Sequence, residues 1–284
     1  MKIRIEDNFE DVIGKATGGL GLTSEDLAKK TDVARDDIQA LLAGRYNENN
    51  LRELAPALEL DPDALVAMAT NQWYPDTILV PGLECYNTAF PISGYEEMTV
   101  NSYLVWSEAT REAIAFDTGT SIDMLLADLN KNELTLKAVF LTHTHRDHVL
   151  ACDRLLEATG RPTLYAPEKE PYNGAEAVPD KARVTIGPFI IEARLTYGHS
   201  PGGTSYLVDG LPEPIAFVGD SLFCMSMGGA KNAYAEALEN NRKRILSLAG
   251  ETILCPGHGP ITSVDEEREH NPFFPELIKS KEEL

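Results

Sequence analysis

The chain is short of basic charge. Its 25 Lys and Arg stand against 45 Asp and Glu, a net charge of −20 and a pI near 4.6. That balance opposes a nucleic acid or an anionic membrane surface as partner. An anionic small molecule is not excluded, because a local cation can invert the field. Cysteine is scarce too: Cys85, Cys152, Cys224 and Cys255 are scattered, with no Cys-x-x-Cys pair. A reducing cytoplasm is the simplest expectation. No apolar run approaches membrane-spanning length, so no membrane association is expected. The opening residues, Met1-Lys2-Ile3-Arg4-Ile5-Glu6-Asp7, turn acidic at once and carry no apolar core of a signal peptide. Strong internal repeats and low-complexity tracts are also missing.

What remains is ordinary soluble composition, 43% apolar and 25% charged over 284 residues, enough for one large or two modest domains. Residues 1–72 read as a small all-helical domain. Helices are expected over 8–17, from a Thr23 cap with Asp26 as its capping-box partner, over 32–43, around Leu51, Leu54 and Leu58, and from Asp61-Pro62 through residue 69. With Thr-x-x-Asp-Leu-Ala-Lys-Lys-Thr-Asp-Val from Thr23 and Ile-x-x-Leu-Leu-Ala-Gly-Arg from Ile38, the stretch from Leu22 to Met68 resembles the phage-repressor type of helix-turn-helix. Charge argues against DNA: residues 1–70 hold eight basic and fourteen acidic side chains, and Asp36 and Asp37 sit where a reading helix should meet the duplex. The expectation is a helical cap that packs on the rest of the chain or forms a homodimer.

Residues 73–284 read as a second domain of mixed strands and helices, an α/β sandwich with helices covering two sheets. Strands are expected over 78–80, 99–106, 113–116, 136–141, 163–166, 182–186, 189–194, 204–208, 215–218 and 252–254. Helices are expected over 121–129, 149–158 and 231–248.

The chain is organised around Thr142-His143-Thr144-His145-Arg146-Asp147-His148, which holds three of the six histidines. The preceding run, Leu136-Lys137-Ala138-Val139-Phe140-Leu141, predicts a buried strand, and a helix follows. The cluster thus falls on a strand-to-helix loop, where α/β sheets present their sites. His143 and His145, two apart, point the same way in extended backbone and can grip one ion. Asp147 and His148 lie past the turn and can face a second. Imidazole with carboxylate suits Zn, Fe or Mn better than Ca or Mg. Three further loops end strands with a His or Asp beside glycine or proline: Gly198-His199-Ser200-Pro201-Gly202-Gly203, Gly219-Asp220-Ser221-Leu222-Phe223 and Pro256-Gly257-His258-Gly259-Pro260. Singly each is an ordinary turn. Together they bring the donors to seven, enough for two metals sharing a carboxylate.

The order His-x-His-x-Asp-His, then His, Asp and His, with gaps of 51, 21 and 38 positions after His148, resembles the metallo-β-lactamase superfamily. Within it, the Gly219 to Phe223 run is similar to the glyoxalase II-like thioesterases. The resemblance spans about 78–274 and implies a four-layer αββα sandwich. It implies that His143, His145 and His199 hold one metal, that Asp147, His148 and His258 hold the other, and that Asp220 bridges them. Asp117, in Phe116-Asp117-Thr118-Gly119, matches the acid that supports the metal loop.

The resemblance further implies two divalent transition-metal ions, zinc ahead of iron or manganese, and hydrolysis of a small-molecule thioester or related acyl ester by a metal-bridging hydroxide, with Asp147 and Asp220 as the catalytic carboxylates. A lactonase shares the same site. A mononuclear-iron persulfide oxygenase and a DNA-binding regulator with a metal-containing sensor are the alternatives of other classes. Asp220 stands where β-lactamases of the cysteine-ligand type have Cys, which argues against antibiotic hydrolysis. Only 26 residues follow His258, so the C-terminal glutathione-contacting domain of full-length glyoxalase II is not expected. Cys224 is read as core packing, and His270 as structural.

Overall fold

The structure, a computed structural model, describes residues 2–90 and 98–282. Met1, 91–97 and 283–284, which belong to the expected regions 1–72 and 73–284, lie outside the described residues. The N-terminal part forms five α-helices: α1 (Phe9–Gly19), α2 (Ser24–Lys30), α3 (Arg35–Leu42), α4 (Glu48–Leu54) and α5 (Pro62–Ala69). Their starts follow from local chemistry. The Thr23 hydroxyl accepts from Asp26 N at 3.2 Å, and the Asp26 carboxylate accepts from Thr23 N at 3.1 Å, a reciprocal capping box. Asp61 accepts from Ala64 N at 2.9 Å, with Pro62 at the first helical position.

The rest of the chain builds two six-stranded sheets. The first runs in chain order through β1 (Leu83–Ala89), β2 (Thr99–Trp106), β3 (Glu112–Phe116), β4 (Thr135–Phe140), β5 (Thr163–Pro167) and β6 (Glu176–Val178). Pairing is antiparallel as far as β3 and parallel from there to β6. The second sheet is β7 (Arg183–Ile186), β8 (Phe189–Leu195), β9 (Thr204–Asp209), β10 (Ile215–Gly219), β11 (Ile253–Pro256) and β12 (Thr262–Ser263), with β10 and β11 its parallel pair.

Alternation along the strands divides their side chains between separate cores. On β2, Tyr103 and Val105 enter the space between the sheets, while Leu104 faces outward into a second core. The intersheet core is rich in aromatics: Phe116 stacks on Phe217 across the sheets at 3.8 Å between ring centroids, and Phe140 meets Tyr206 at 5.2 Å. Outside the first sheet lie α6 (Asp123–Lys131) and α8 (Cys152–Ala158), burying Leu125, Leu129 and Leu155 against Leu104, Val139 and Leu164.

The outer face of the second sheet, with Ala216, Val218 and Leu254, is covered by α9 (Tyr234–Asn240), by α10 (Val264–His270) and by the N-terminal helices. One continuous apolar cluster joins Val12, Ile13, Leu27, Ile38 and Leu65 to Leu222, Met225, Tyr234 and Phe273. The order helices, sheet, sheet, helices is the four-layer sandwich.

Several expected elements differ. Residues 78–80 are not a strand; β1 begins at Leu83 instead. The helix expected over 149–158 is two pieces, α7 (Arg146–Val149) and α8. Between them Ala151 N turns to Gly119 O at 3.3 Å, a tertiary bond no local pattern reports. The helix expected over 231–248 begins at Tyr234 and continues as a wider π turn over Asn241–Ile245. The strands β6 and β12, α10 and α11 (Pro275–Glu282) had no sequence-level assignment. Among the described residues no helix is long and apolar enough to cross a membrane.

Candidate metal centre

Strands β3, β4, β10 and β11 end at one rim of the sandwich, and the loops that follow them carry most of the donor side chains. After β4, Thr142 is fixed from both sides by Asp117, the residue after β3. Its N–H and its hydroxyl each donate to that carboxylate at 2.8 Å. Asp117 takes a left-handed backbone (φ +54°), an uncommon state for a residue with a Cβ and one to which Asp is better suited than most. Beyond Thr142 the chain turns into α7. His148 there donates from Nδ1 to Asp117 at 2.8 Å, while its carbonyl accepts from Thr118 N at 2.8 Å.

The seven sequence-nominated donors converge in two groups. His143, His145, His199 and Asp220 form one, and Asp147, His148 and His258 the other; within each, the donor atoms all lie within 4.8 Å of one another. His145 Nδ1 is 3.1 Å from His143 Nε2 and 2.9 Å from His199 Nε2. In the second group, Asp147 Oδ2 lies 3.3 Å from His258 Nε2 and 3.7 Å from His148 Nε2. Asp220 reaches both: Oδ1 is 3.3 Å from His148 Nε2, and Oδ2 is 3.3 Å from His199 Nε2 and 3.4 Å from His258 Nε2.

Hydrogen bonds on the far side of the rings decide which nitrogen faces the centre. His199 Nδ1 donates to Gly229 O at 3.1 Å and His258 Nδ1 to Thr99 O at 2.7 Å. His148 Nδ1 donates to Asp117. The Thr142 hydroxyl spends its one proton on Asp117, so toward His143 Nδ1, 3.1 Å away, it acts as acceptor. These four rings therefore present Nε2 inward, the orientation that outer partners impose on metal-binding imidazoles. Glycines let the backbone close in. A Cβ on Gly257 would stand 2.2 Å from Asp220 Oδ1 and 2.6 Å from His148 Cε1, and one on Gly228 would stand 1.9 Å from Asp220 O.

The centre is largely buried, with His143, His148, Asp220 and His258 all enclosed. Burial pushes His143 well below the ordinary imidazole range, and does the same to His199 less strongly. Burial also opposes charge on His148, yet Asp220 and Asp117 outweigh it and hold the ring up to about 10. At His258 burial is likewise overcome, chiefly by Asp220 and Asp147. Burial disfavours the Asp220 carboxylate, but His258, His148 and His143 keep it well below the usual carboxylate range.

A cation fits this arrangement. His148 Nε2 and Asp220 Oδ1 are buried with no hydrogen-bond partner, an arrangement that costs free energy unless something else engages them. His143 and His199, whose Nδ1–H groups are committed outward and whose charged forms burial disfavours, aim Nε2 lone pairs at the space beside His145 Nδ1. The donor chemistry is that of borderline transition metals.

Beside the second group lies a cavity of about 210 Å³, lined by Phe90, Met98, Thr99, Val100, Asp147 and His258. Cys224 is enclosed in the core, where burial pushes its thiol far up. His270 stands outside both donor groups and stacks on Trp73 at 4.1 Å.

Sequence reasoning missed the supports that carry no metal-like chemistry. Glu170 accepts from Thr144 N at 2.7 Å and from Gly202 N at 3.0 Å, tying the His143–His145 loop to the His199 loop. Asn101 donates from Nδ2 to Pro256 O and Gly259 O at 3.0 and 2.8 Å, bracing the His258 loop across the sheets. Neither has a local motif. An acid ending a Glu-Lys-Glu run and an Asn inside a strand are ordinary until the fold is known.

Comparison with known proteins gives a match to the Metallo-beta-lactamase superfamily over residues 95–258. A probable metallo-hydrolase of Streptococcus pyogenes is 28% identical over 229 residues, 71% of this chain and 93% of that protein. The hydroxyacylglutathione hydrolase GloC of Haemophilus influenzae is 26% identical over 209 residues, 65% of this chain and 95% of that protein. Among solved structures, ETHE1 from Myxococcus xanthus superposes with a TM-score of 0.58 at 26% identity, covering 70% of this chain and 90% of that one.

Proposed function

The chain belongs to the metallo-β-lactamase superfamily, and on that premise we propose that it is a two-metal hydrolase of a thioester or related acyl ester. The observation that carries the reading is Asp220, whose two oxygens lie 3.3 to 3.4 Å from nitrogens of both donor groups. A structural site closes four ligands round one ion; a carboxylate shared by two groups is the arrangement of paired catalytic ions. His143, His145 and His199 would hold one ion and Asp147, His148 and His258 the other, with Asp220 touching both. The donor set favours zinc, with iron or manganese as alternatives. Such ions, when bound, acidify a water and polarise the carbonyl it attacks.

The chain's own groups orient and shield. Asp220 is wedged between Gly228 and Gly257, which keeps both donor groups in one register. Asp147 borders the cavity, so its carboxylate stands beside the place where the acyl group would enter. Phe90, Met98 and Val100 offer that group an apolar wall, which supports an acyl chain over a highly charged substrate. A side-chain nucleophile is not needed, and two nearby candidates are committed. Ser221 Oγ is bonded to Thr196, and the Cys224 thiol is enclosed. The name of the GloC relative supports a thioester.

The test is metal content of protein purified without added metal, followed by turnover on S-lactoylglutathione, aryl thioesters and lactones. Two ions per chain with thioester turnover are expected. One iron per chain, oxygen uptake on a persulfide and no hydrolysis would overturn the proposal.

A further inference from the structure

The loop that carries Asp220 also orients His199, because residue 229 supplies the carbonyl that accepts from His199 Nδ1. Three elements grip this loop. Asn241, in the π turn, donates from Nδ2 to Ser221 O at 2.7 Å. From α10, Glu267 accepts from Met225 N, and the adjoining Asn271 donates to Ser226 O at 2.9 Å. The third grip comes from the N-terminal region. The Asp7 carboxylate accepts from Ser226 Oγ and from the Lys15 ammonium. Lys15 Nζ also donates to Met227 O at 2.8 Å and lies 5.2 Å from the centroid of Phe223, whose ring meets His258 edge-on at 5.5 Å. The Lys15 and Asp7 side chains are 22% and 10% exposed, so water competes little with these bonds. One helical turn and its preceding arm thus touch the loop at two successive residues, Ser226 and Met227, directly before the glycines that pass Asp220 and His199.

We propose that Lys15 and Asp7 are positioning residues of the metal centre, holding the 220–229 loop so that Asp220 and His199 face the same ion. The N-terminal helical region is then a working part of the site and not an appended module. This rests on the two-metal reading above. The pair acts at one remove: it touches backbone and a hydroxyl, and these set where the donors stand.

The experiment compares full-length K15M, D7N, K15R and R52M with the wild-type chain. Zinc affinity is measured by chelator competition, and the visible spectrum of the cobalt(II)-loaded protein reports donor geometry. Arg52 serves as control because its ion pairs with Glu48 and Asp63 lie in the same helical region on an exposed surface. K15M and D7N are expected to bind zinc about 10- to 100-fold more weakly, the range for losing an outer support of a metal ligand, with an altered cobalt spectrum. K15R should recover most of the affinity, and R52M should match wild type in both readouts. If K15M does not fold, D7N carries the test. Wild-type affinity and spectrum in K15M and D7N would overturn the positioning role while leaving the two-metal reading intact. A wild-type chain that takes up no metal would overturn that reading itself.

Discussion

His148 donates from Nδ1 to Asp117 Oδ2 at 2.8 Å, with both side chains buried. The same carboxylate takes both donors of Thr142, so one acid fixes a ring of the second donor group and the residue that starts the first. Its geometry therefore precedes the arrangement of the donors themselves.

Replacing Asp117 with Ala should weaken metal binding about 10- to 100-fold and leave the buried Thr142 N–H without its acceptor, at a cost of roughly 1–3 kcal/mol. Asp117→Asn should fall between Ala and wild type, since its carbonyl can still serve one donor. Chelator competition and denaturant melts check both effects. Wild-type metal affinity in the Ala variant would remove Asp117 from the support of the centre.

Asp220→Ala removes a carboxylate that reaches both donor groups. Metal stoichiometry should fall below that of wild type, and turnover should fall by at least about a hundredfold, more than for an outer support. Unchanged metal content and rate would sink the shared-carboxylate assignment. Elemental analysis and kinetics on the same preparation make the comparison direct.

Gly257→Ala is the sterically cleanest probe. The added methyl would lie 2.2 Å from Asp220 Oδ1 and 2.6 Å from His148 Cε1, distances real contacts do not reach. The fold should survive with a loss of roughly 1–3 kcal/mol, the usual cost of overpacking, while metal binding is lost. A variant that binds metal like wild type would show that the donors tolerate displacement.

His143, His145, Asp147 and His148 were legible because they crowd into six positions, and His199, Asp220 and His258 because each sits beside glycine near a strand end. Their supports were not. Asn101 and Glu170 act across the sheets or between loops, and only the fold makes them neighbours. In the sequence Glu6 and Asp7 mark only the early acidic turn of the chain, yet Asp7 bonds Ser226, and Glu6 Oε1 stands 3.9 Å from His258 Nδ1. The apolar pattern is weak at β1, an edge strand whose Thr88 is buried although polar and whose Asn87 donates to the buried Asn101 at 2.8 Å. The apolar triplet at 78–80 was read as a strand on composition, but Leu79 is 88% exposed and pairs with no strand.

Glu267 should give stability a pH dependence. It is fully enclosed, and burial raises its carboxyl to about 8, against the donors Asn271, Thr262 and Met225 that favour the ionised form. The folded pKa lies above the unfolded one, so the folded chain holds an extra proton between about 4.5 and 8. That contribution is complete below the lower value, falls as pH rises through the window, and is gone above the upper one, a change on the order of a few kcal/mol. Glu267→Gln should flatten the slope in that window. Denaturant melts from pH 5 to 9 measure it, and an equal slope in both proteins would refute the assignment.

The N-terminal helices are expected to bind no DNA. The α2–α3 pair has the helix-turn-helix look, but the first turn of α3 exposes Asp36 and Asp37, and carboxylates there repel the phosphate backbone on which both non-specific and specific binding depend. The apolar side of the pair is already used: Leu27, Ile38 and Leu41 are fully buried in the cluster that continues into Val218, Leu222 and Met225. Removing residues 1–70 would uncover that face of the second sheet together with Tyr234 and Phe273, an apolar patch of the kind that drives association. Two measurements decide the matter. Fluorescence anisotropy with random duplex at low salt should show no binding at micromolar protein, and the truncated chain should be insoluble or aggregated. Salt-sensitive duplex binding would restore the DNA reading. A truncated chain as soluble and active as the parent would show that the helices are a cover the catalytic sandwich can shed.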